Sequence, residues 1–203
     1  MNTLLVPYQK EICWQRAAQA PMAHLLWSQV TGIEAWGQVA WNEQGLHLRL
    51  QAREEKILAR FTGDNDMVCR DSCLEFFFCP EANSLRYYNI EVNPNGALYV
   101  GFGYEGGRRF RLLNPRLADF LQVRPYRLPG LWGAELTVTE EFVRLLLPEF
   151  SFVPGQQLRA NFYKCGDDTP TPHYFAWNPV ANPTPNFHLP AHFGMLRLGK
   201  KDA

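Results

Sequence analysis

Residues 70–103 read RDSCLEFFFCPEANSLRYYNIEVNPNGALYVGFG, and this stretch decides the fold. Side chains along a strand repeat every two residues. The alternation here predicts three consecutive antiparallel strands, Cys73–Cys79, Arg86–Val92 and Ala97–Gly103. Leu74, Phe76 and Phe78 take one face together with Tyr88, Ile90 and Val92; Glu75, Phe77, Tyr87, Asn89 and Glu91 take the other. Asn93-Pro94-Asn95-Gly96 reads as a tight turn, because Pro pre-sets its backbone angle and Asn-Gly tolerates positive φ. Acids and amides at strand centres are most simply the solvated side of a half-buried sheet. The sharper reading is a polar and aromatic platform for a hydroxyl-rich ligand.

The same pattern recurs outward in both directions. Gln38–Trp41 and Gly45–Ala52 form a hairpin, with His47 on its polar side, more simply solvated than a ligand. Leu131–Thr139, Gln157–Cys165, His173–Trp177 and Gly194–Leu198 also read as strands. A Thr139 cap followed by Glu140 and Glu141 opens a short helix that stops near Pro148. Met22–Gln29 suits another helical turn, with Trp27 as a packing residue, and Glu54–Phe61 is ambiguous. Glu105–Arg109 reads as a turn, and Phe110–Val123 as irregular. Fifteen Pro and fifteen Gly in short clusters supply many turns. The expectation is an all-β, two-sheet antiparallel β-sandwich of the jelly-roll or immunoglobulin-like kind, with one or two short helices. Residues 1–32 read as an N-terminal extension packed on a domain spanning 33–203.

Composition excludes several functions. Twenty basic residues balance twenty acidic ones, so nothing favours nucleic acid or an anionic membrane surface. No apolar run is long enough to span a bilayer, and MNTLLVPYQKEICW lacks the form of a signal peptide, which points to the cytoplasm, or to secretion if a leader has been removed. Five cysteines without metal-ligand spacing read as reduced thiols. Asp64, Asn65 and Asp66 form a compact acidic loop with hard oxygen donors, a weak Ca²⁺ candidate centred on Asp64 and Asp66 that lacks the EF-hand spacing. No other cofactor is expected. Six Trp and fourteen Phe suit a large core or an exposed stacking surface.

The order of several motifs then becomes informative. Asp71-Ser72-x-x-Glu75 precedes Tyr87-Tyr88-x-x-Glu91-x-Asn93-x-x-Gly96; these are followed by Trp132-x-x-Glu135, Arg159-x-Asn161-Phe162-Tyr163, Ala176-Trp177 and Phe193-Gly194-x-Leu196. This series resembles carbohydrate-binding module family 9-like domains within the DOMON-like β-sandwiches, from about Trp36 to Leu198. The resemblance implies a non-catalytic domain that recognises a mono- or oligosaccharide end and takes part in carbohydrate catabolism. Family members clamp a sugar ring between two Trp side chains and read its hydroxyls with polar groups on nearby strands. By motif position one clamp residue falls on Phe187, the carboxylate on Glu75, and the polar reader on Asn89 or Glu91. Asn161, Tyr163, Trp177 and His188 complete the expected ligand-binding set. Met67, Val68 and Cys69 stand where the second clamp Trp belongs. Some members hold structural calcium.

Three rival readings remain at this stage. Glu75 and Glu91 imitate a glycosidase pair, but no second catalytic signature accompanies them. Met67, Met195, His173, His188 and His192 offer haem ligands of the kind other DOMON-like sandwiches use, without an attachment motif. A structural or partner-binding sandwich without a sugar site is the third.

Overall fold

The computed structural model describes residues 1–81, 83–104 and 109–201. Two sheets hold fourteen strands: β1 (Thr3–Val6), β2 (Ala18–Pro21), β3 (His24–Leu26), β4 (Glu34–Asn42), β5 (Gly45–Arg53), β6 (Cys73–Cys79), β7 (Tyr87–Val92), β8 (Leu98–Gly103), β9 (Arg109–Arg111), β10 (Arg124–Leu128), β11 (Leu131–Thr139), β12 (Gln157–Cys165), β13 (Tyr174–Ala176) and β14 (Gly194–Leu198). The helices are short, α1 (Leu117–Leu121) and α2 (Glu140–Arg144). The expected all-β sandwich is what forms.

The larger sheet runs β1-β14-β12-β6-β7-β8-β9. Strand β12 is shared along one edge, pairing with β14 in its first half and with β13 in its second, and β13 carries β3 beyond it. The smaller sheet runs β10-β11-β5-β4-β2. Every pair is antiparallel except β1 with β14, which is parallel. The β6–β7–β8 meander and its Asn93–Gly96 turn form as read: Gly96 has φ of 84°, and the Asn93 side chain accepts from the amides of Asn95 and Ala97 at 3.0 Å each.

Leu74, Phe76, Phe78, Ile90 and Val92 pack against Leu46, Leu48, Leu50, Ala134 and Leu136 from the smaller sheet. One crossing is close enough to demand a glycine: a Cβ on Gly37 of β4 would stand 2.6 Å from the Phe162 ring of β12. At the edge of this core β12 turns Lys164 inward, fully buried. Its Nζ lies 2.7 Å from Glu54, 2.6 Å from His173 Nε2 and 2.8 Å from the Cys165 carbonyl, with the Trp132 ring beyond. Burial and the Lys164 charge depress the His173 pKa to about 4, so the ring accepts from Lys164 as a neutral imidazole. This group of charges ties the end of β5 to β12.

Several details differ from the sequence reading. Residues 1–32 supply strands to both sheets: β1 and β3 to the larger, β2 to the smaller. Where a helical turn is expected at Met22–Gln29, β3 forms instead, because its backbone pairs with β13, a partner remote in sequence. The segment expected to be irregular from Phe110 contains part of β9 and all of α1. Residues 105–108 of the expected Glu105–Arg109 turn lie outside the described residues. All five cysteines are free thiols.

The largest difference concerns the outer face of β6, β7 and β12. Glu75, Asn89 and Glu91 are at most 5% exposed, so this is not a wet face. The loop from Asn178 to Phe193 lies across it and builds a second apolar cluster with Phe77, Tyr87 and Tyr163 against Val180, Phe187 and Phe193. Asn161 pins the start of that loop, accepting from Asn178 N at 2.8 Å and donating to its carbonyl at 2.9 Å.

Removing one member of a buried ion pair strands the other charge, at a cost of about 3–5 kcal/mol. Lys164→Met should therefore lower the unfolding free energy by about that amount in urea denaturation. The Lys164→Met/Glu54→Gln double variant should recover most of it. A single variant within about 1 kcal/mol of wild type would mean that the pair does not hold the sheets together.

Candidate ligand-binding site

Under the covering loop a cavity of about 230 Å³ remains open. Its floor comes from the sheet. Glu75 on β6 and Glu91 on β7 stand directly opposite each other in register, and Tyr99 on β8 is the next residue across. Side chains directly opposite on neighbouring strands lie about 5 Å apart at Cβ, so both carboxyls belong to one wall. The rim comes from loops, which bring Trp27, Met67, Asp167, Phe187 and His188, and from β9, which brings Arg109.

The aromatic side is layered. Phe187 stacks on Tyr163 with centroids 4.0 Å apart, and the Tyr163 hydroxyl donates to the Phe187 carbonyl. Trp27 meets Phe187 at 5.5 Å and 43°, and Tyr174 edge-on at 5.7 Å. Its indole N–H donates to the Asn182 carbonyl at 2.6 Å, so strand β3 and the covering loop hold the ring together. Trp27 has φ of 50°, an uncommon setting for a bulky residue that costs about 1–3 kcal/mol. It turns the chain after β3 so that the indole reaches the cavity.

The polar side is poorly compensated. Glu75 Oε1 accepts the Cys165 thiol at 2.9 Å, while the buried Oε2 has no partner among the described residues. Burial and then the neighbouring Glu91 raise the Glu75 pKa far above the ordinary carboxylate range. Glu91 accepts from Asn89 Nδ2 at 2.9 Å, and burial pushes its pKa up to about 7 despite that bond and the Arg109 charge. Arg109 donates at 3.1 Å to Asn89 Oδ1. Asn89 has room for both contacts because Gly101 lies opposite on β8; a Cβ there would be 2.5 Å from Asn89 Oδ1. Burial also raises Asp167. His188, whose Nδ1 lies 3.0 Å from the Tyr87 hydroxyl, is held neutral by burial, its pKa near 3.

Of the residues expected to bind ligand, Glu75, Glu91, Phe187 and His188 come together at this cavity. Asn89 and Tyr163 sit one layer behind, supporting Glu91 and Phe187. Asn161 and Trp177 lie elsewhere: Asn161 spends its amide on Asn178, and Trp177 packs edge-on to Phe162 in the inter-sheet core. Asp66 accepts from the Gly63 amide at 3.0 Å, and among the described residues no third acid, His or Cys joins it and Asp64. The potential ligand atoms of Cys73, Glu75 and Cys165 do lie within 4.8 Å of one another, but both thiols are driven toward the protonated form: burial pushes Cys73 up to about 12, and the hydrogen bond with Cys73, then burial, raises Cys165. Met67 and His188 share the cavity, whereas His173 is engaged by Lys164.

Sequence reasoning missed Trp27, Tyr99, Arg109, Asp167 and Tyr174. Tyr99 was within reach, since the two-residue period of β8 places it on the Glu91 face. Trp27 carried no local signal; its partner Asn182 is 155 residues away. Where Met67 and Cys69 stand without a ring, the indole of Trp27 arrives from another strand.

The family model for carbohydrate-binding family 9 matches residues 8–198. The chain belongs to carbohydrate-binding family 9. Solved structures agree with the family-9 fold. A candidate carbohydrate-binding protein from Bacteroides uniformis ATCC 8492 superposes with a TM-score of 0.78 at 25% identity, over 97% of this chain and 98% of its own. A family 9 module from Caldicellulosiruptor kristjanssonii in complex with glucose gives 0.71 at 12% identity, over 99% and 97%. The module from that organism in complex with cellotriose gives 0.68 at 12%, over 99% and 95%. No curated protein matches the chain.

The raised Glu91 pKa has a consequence for this family-9 chain. Its folded value, near 7, lies above the ordinary carboxylate value of 4.5, so the protonated acid favours the native state. That contribution is complete below about 4.5 and is lost as pH rises through about 7, a change on the order of 3 kcal/mol. Glu91→Gln should remove the loss. The stability difference between wild type and variant, read by urea denaturation across this pH range, should therefore shift against wild type as pH rises; a constant difference would place Glu91 among ordinary carboxylates.

Proposed function

We propose that the cavity over β6 and β7 binds the end of a sugar or glycan, by stacking on Phe187 and Trp27 and by hydrogen bonds to Glu75, Glu91 and Arg109. The observation that carries this reading is the convergence, in one small opening, of flat rings from two loops and a buried carboxyl oxygen without a partner among the described residues. A pyranose has C–H faces for rings and hydroxyls for such acceptors. Membership in carbohydrate-binding family 9 supports the ligand class, and the solved modules that hold glucose and cellotriose indicate where to begin.

The reading is binding without bond cleavage. Glycosidase carboxyls flank the scissile bond, whereas Glu75 and Glu91 share one wall in register.

Calorimetry with glucose, xylose and cellobiose should show weak binding. Phe187→Ala and Trp27→Ala should each weaken it by about 1 kcal/mol, roughly five-fold, the value of one ring contact. Glu75→Ala should weaken it at least as much. Sugar binding untouched by all three changes would put the site elsewhere on the molecule.

A further inference from the structure

The cavity carries more acid than a neutral sugar needs. Glu75, Glu91 and Asp167 all line it. Among the described residues none of the three belongs to an ion pair; the pairs all lie elsewhere. The one described cation in the lining, Arg109, is directed to Asn89 Oδ1. Arg111, just outside, lies 5.2 Å from the Tyr99 ring and donates to the Met67 sulfur. Among the described residues the only donor to the Glu75 carboxyl is a thiol, and its Oε2, on a side chain 2% exposed, has none.

Burying such a group without a partner is costly, and for a charged group the cost is high. Neutral hydroxyls can supply the missing hydrogen bond but cannot stabilise the acids in their ionised form. An ammonium group does both, bringing three N–H donors and a positive charge. The lining suits it as well, since it includes Trp27 and Tyr174, and aromatic rings attract cations.

We propose that the preferred ligand is a sugar carrying a free amino group, with its ammonium received by Glu75 and Glu91 against the aromatic wall. This rests on the carbohydrate reading above and narrows it. In the empty site burial favours the protonated carboxyls. When the ammonium enters, the carboxyl O–H bonds ionise, the protons pass to buffer, and N–H···O⁻ bonds take their place. Binding is thus accompanied by proton release. A neutral sugar has no charge with which to drive that release.

The test is calorimetry on the full chain with glucosamine, glucose and N-acetylglucosamine, at a pH below the pKa of the free amine and in two buffers of different ionisation enthalpy. Glucosamine should bind at least about ten-fold tighter than the other two, a difference of about 1.4 kcal/mol. It alone should show a buffer-dependent heat that reports released protons. Glu75→Gln should bring the glucosamine-to-glucose affinity ratio toward one; should that variant fail to fold, the three-ligand comparison on wild type decides alone. Equal affinities for glucose and glucosamine would overturn the amine assignment and leave the carbohydrate reading standing; tight glucosamine binding without proton release would support the amine assignment with the acids already ionised in the empty site. Absence of binding by any sugar, neutral or amino, would remove both.

Discussion

Everything about the site follows from a sheet buried on both faces. Antiparallel sheets commonly keep one side in water. Here β6, β7 and β12 have the inter-sheet core on one side and the Asn178–Phe193 loop on the other. Polar residues on the covered face cannot be hydrated as they would be in an open sheet. Asn161 meets this constraint by bonding to the loop that covers it, and Asn89 by bonding to Glu91 and Arg109. Glu75 does not fully meet it, because among the described residues one of its oxygens has no partner. That oxygen belongs to a carboxyl lining an opening of about 230 Å³.

The family motifs divide by physical role. Asp71 is fully buried and accepts the amides of Arg60 and Phe61 and the side chain of Asn93; these contacts hold the approach to β6 and the β7–β8 turn together. Ser72 bonds to Leu58 N and to Glu54. Asn161 anchors the covering loop. Of the described residues in that motif series, Glu75 and Glu91 line the cavity. Most of the motif therefore builds the enclosure, and a smaller part meets the ligand.

The N-terminal segment shows why a residue expected at one place can arrive from another. The positions before β6 carry Met67 and Cys69, neither of which has a ring, yet both line the cavity. The ring comes from Trp27, carried by a strand that pairs with β13 on the far side of β12. Its strained backbone and its bond to Asn182 fix the indole against Phe187. The stacking surface is thus made by two segments with no sequence relation, and held by the sheet between them.

What the residues determined alone is local and periodic. The two-residue alternation of 70–103 and the Asn93–Gly96 turn specify the meander, its register and which side chains share a face, because strand geometry and turn chemistry act over a few residues. That was enough to put Glu75 and Glu91 on one wall, and the motif order placed Phe187 near them. Tertiary structure decided whether that face meets water, and it does not. It also decided that Trp177 belongs to the core, that Trp27 belongs to the site, and that His24–Leu26 is a strand. Each of these depends on contacts between segments distant in the chain, such as the loop folding over β12 or β3 pairing with β13. Periodicity has no information about such pairings, and the pKa of a carboxyl group follows from them.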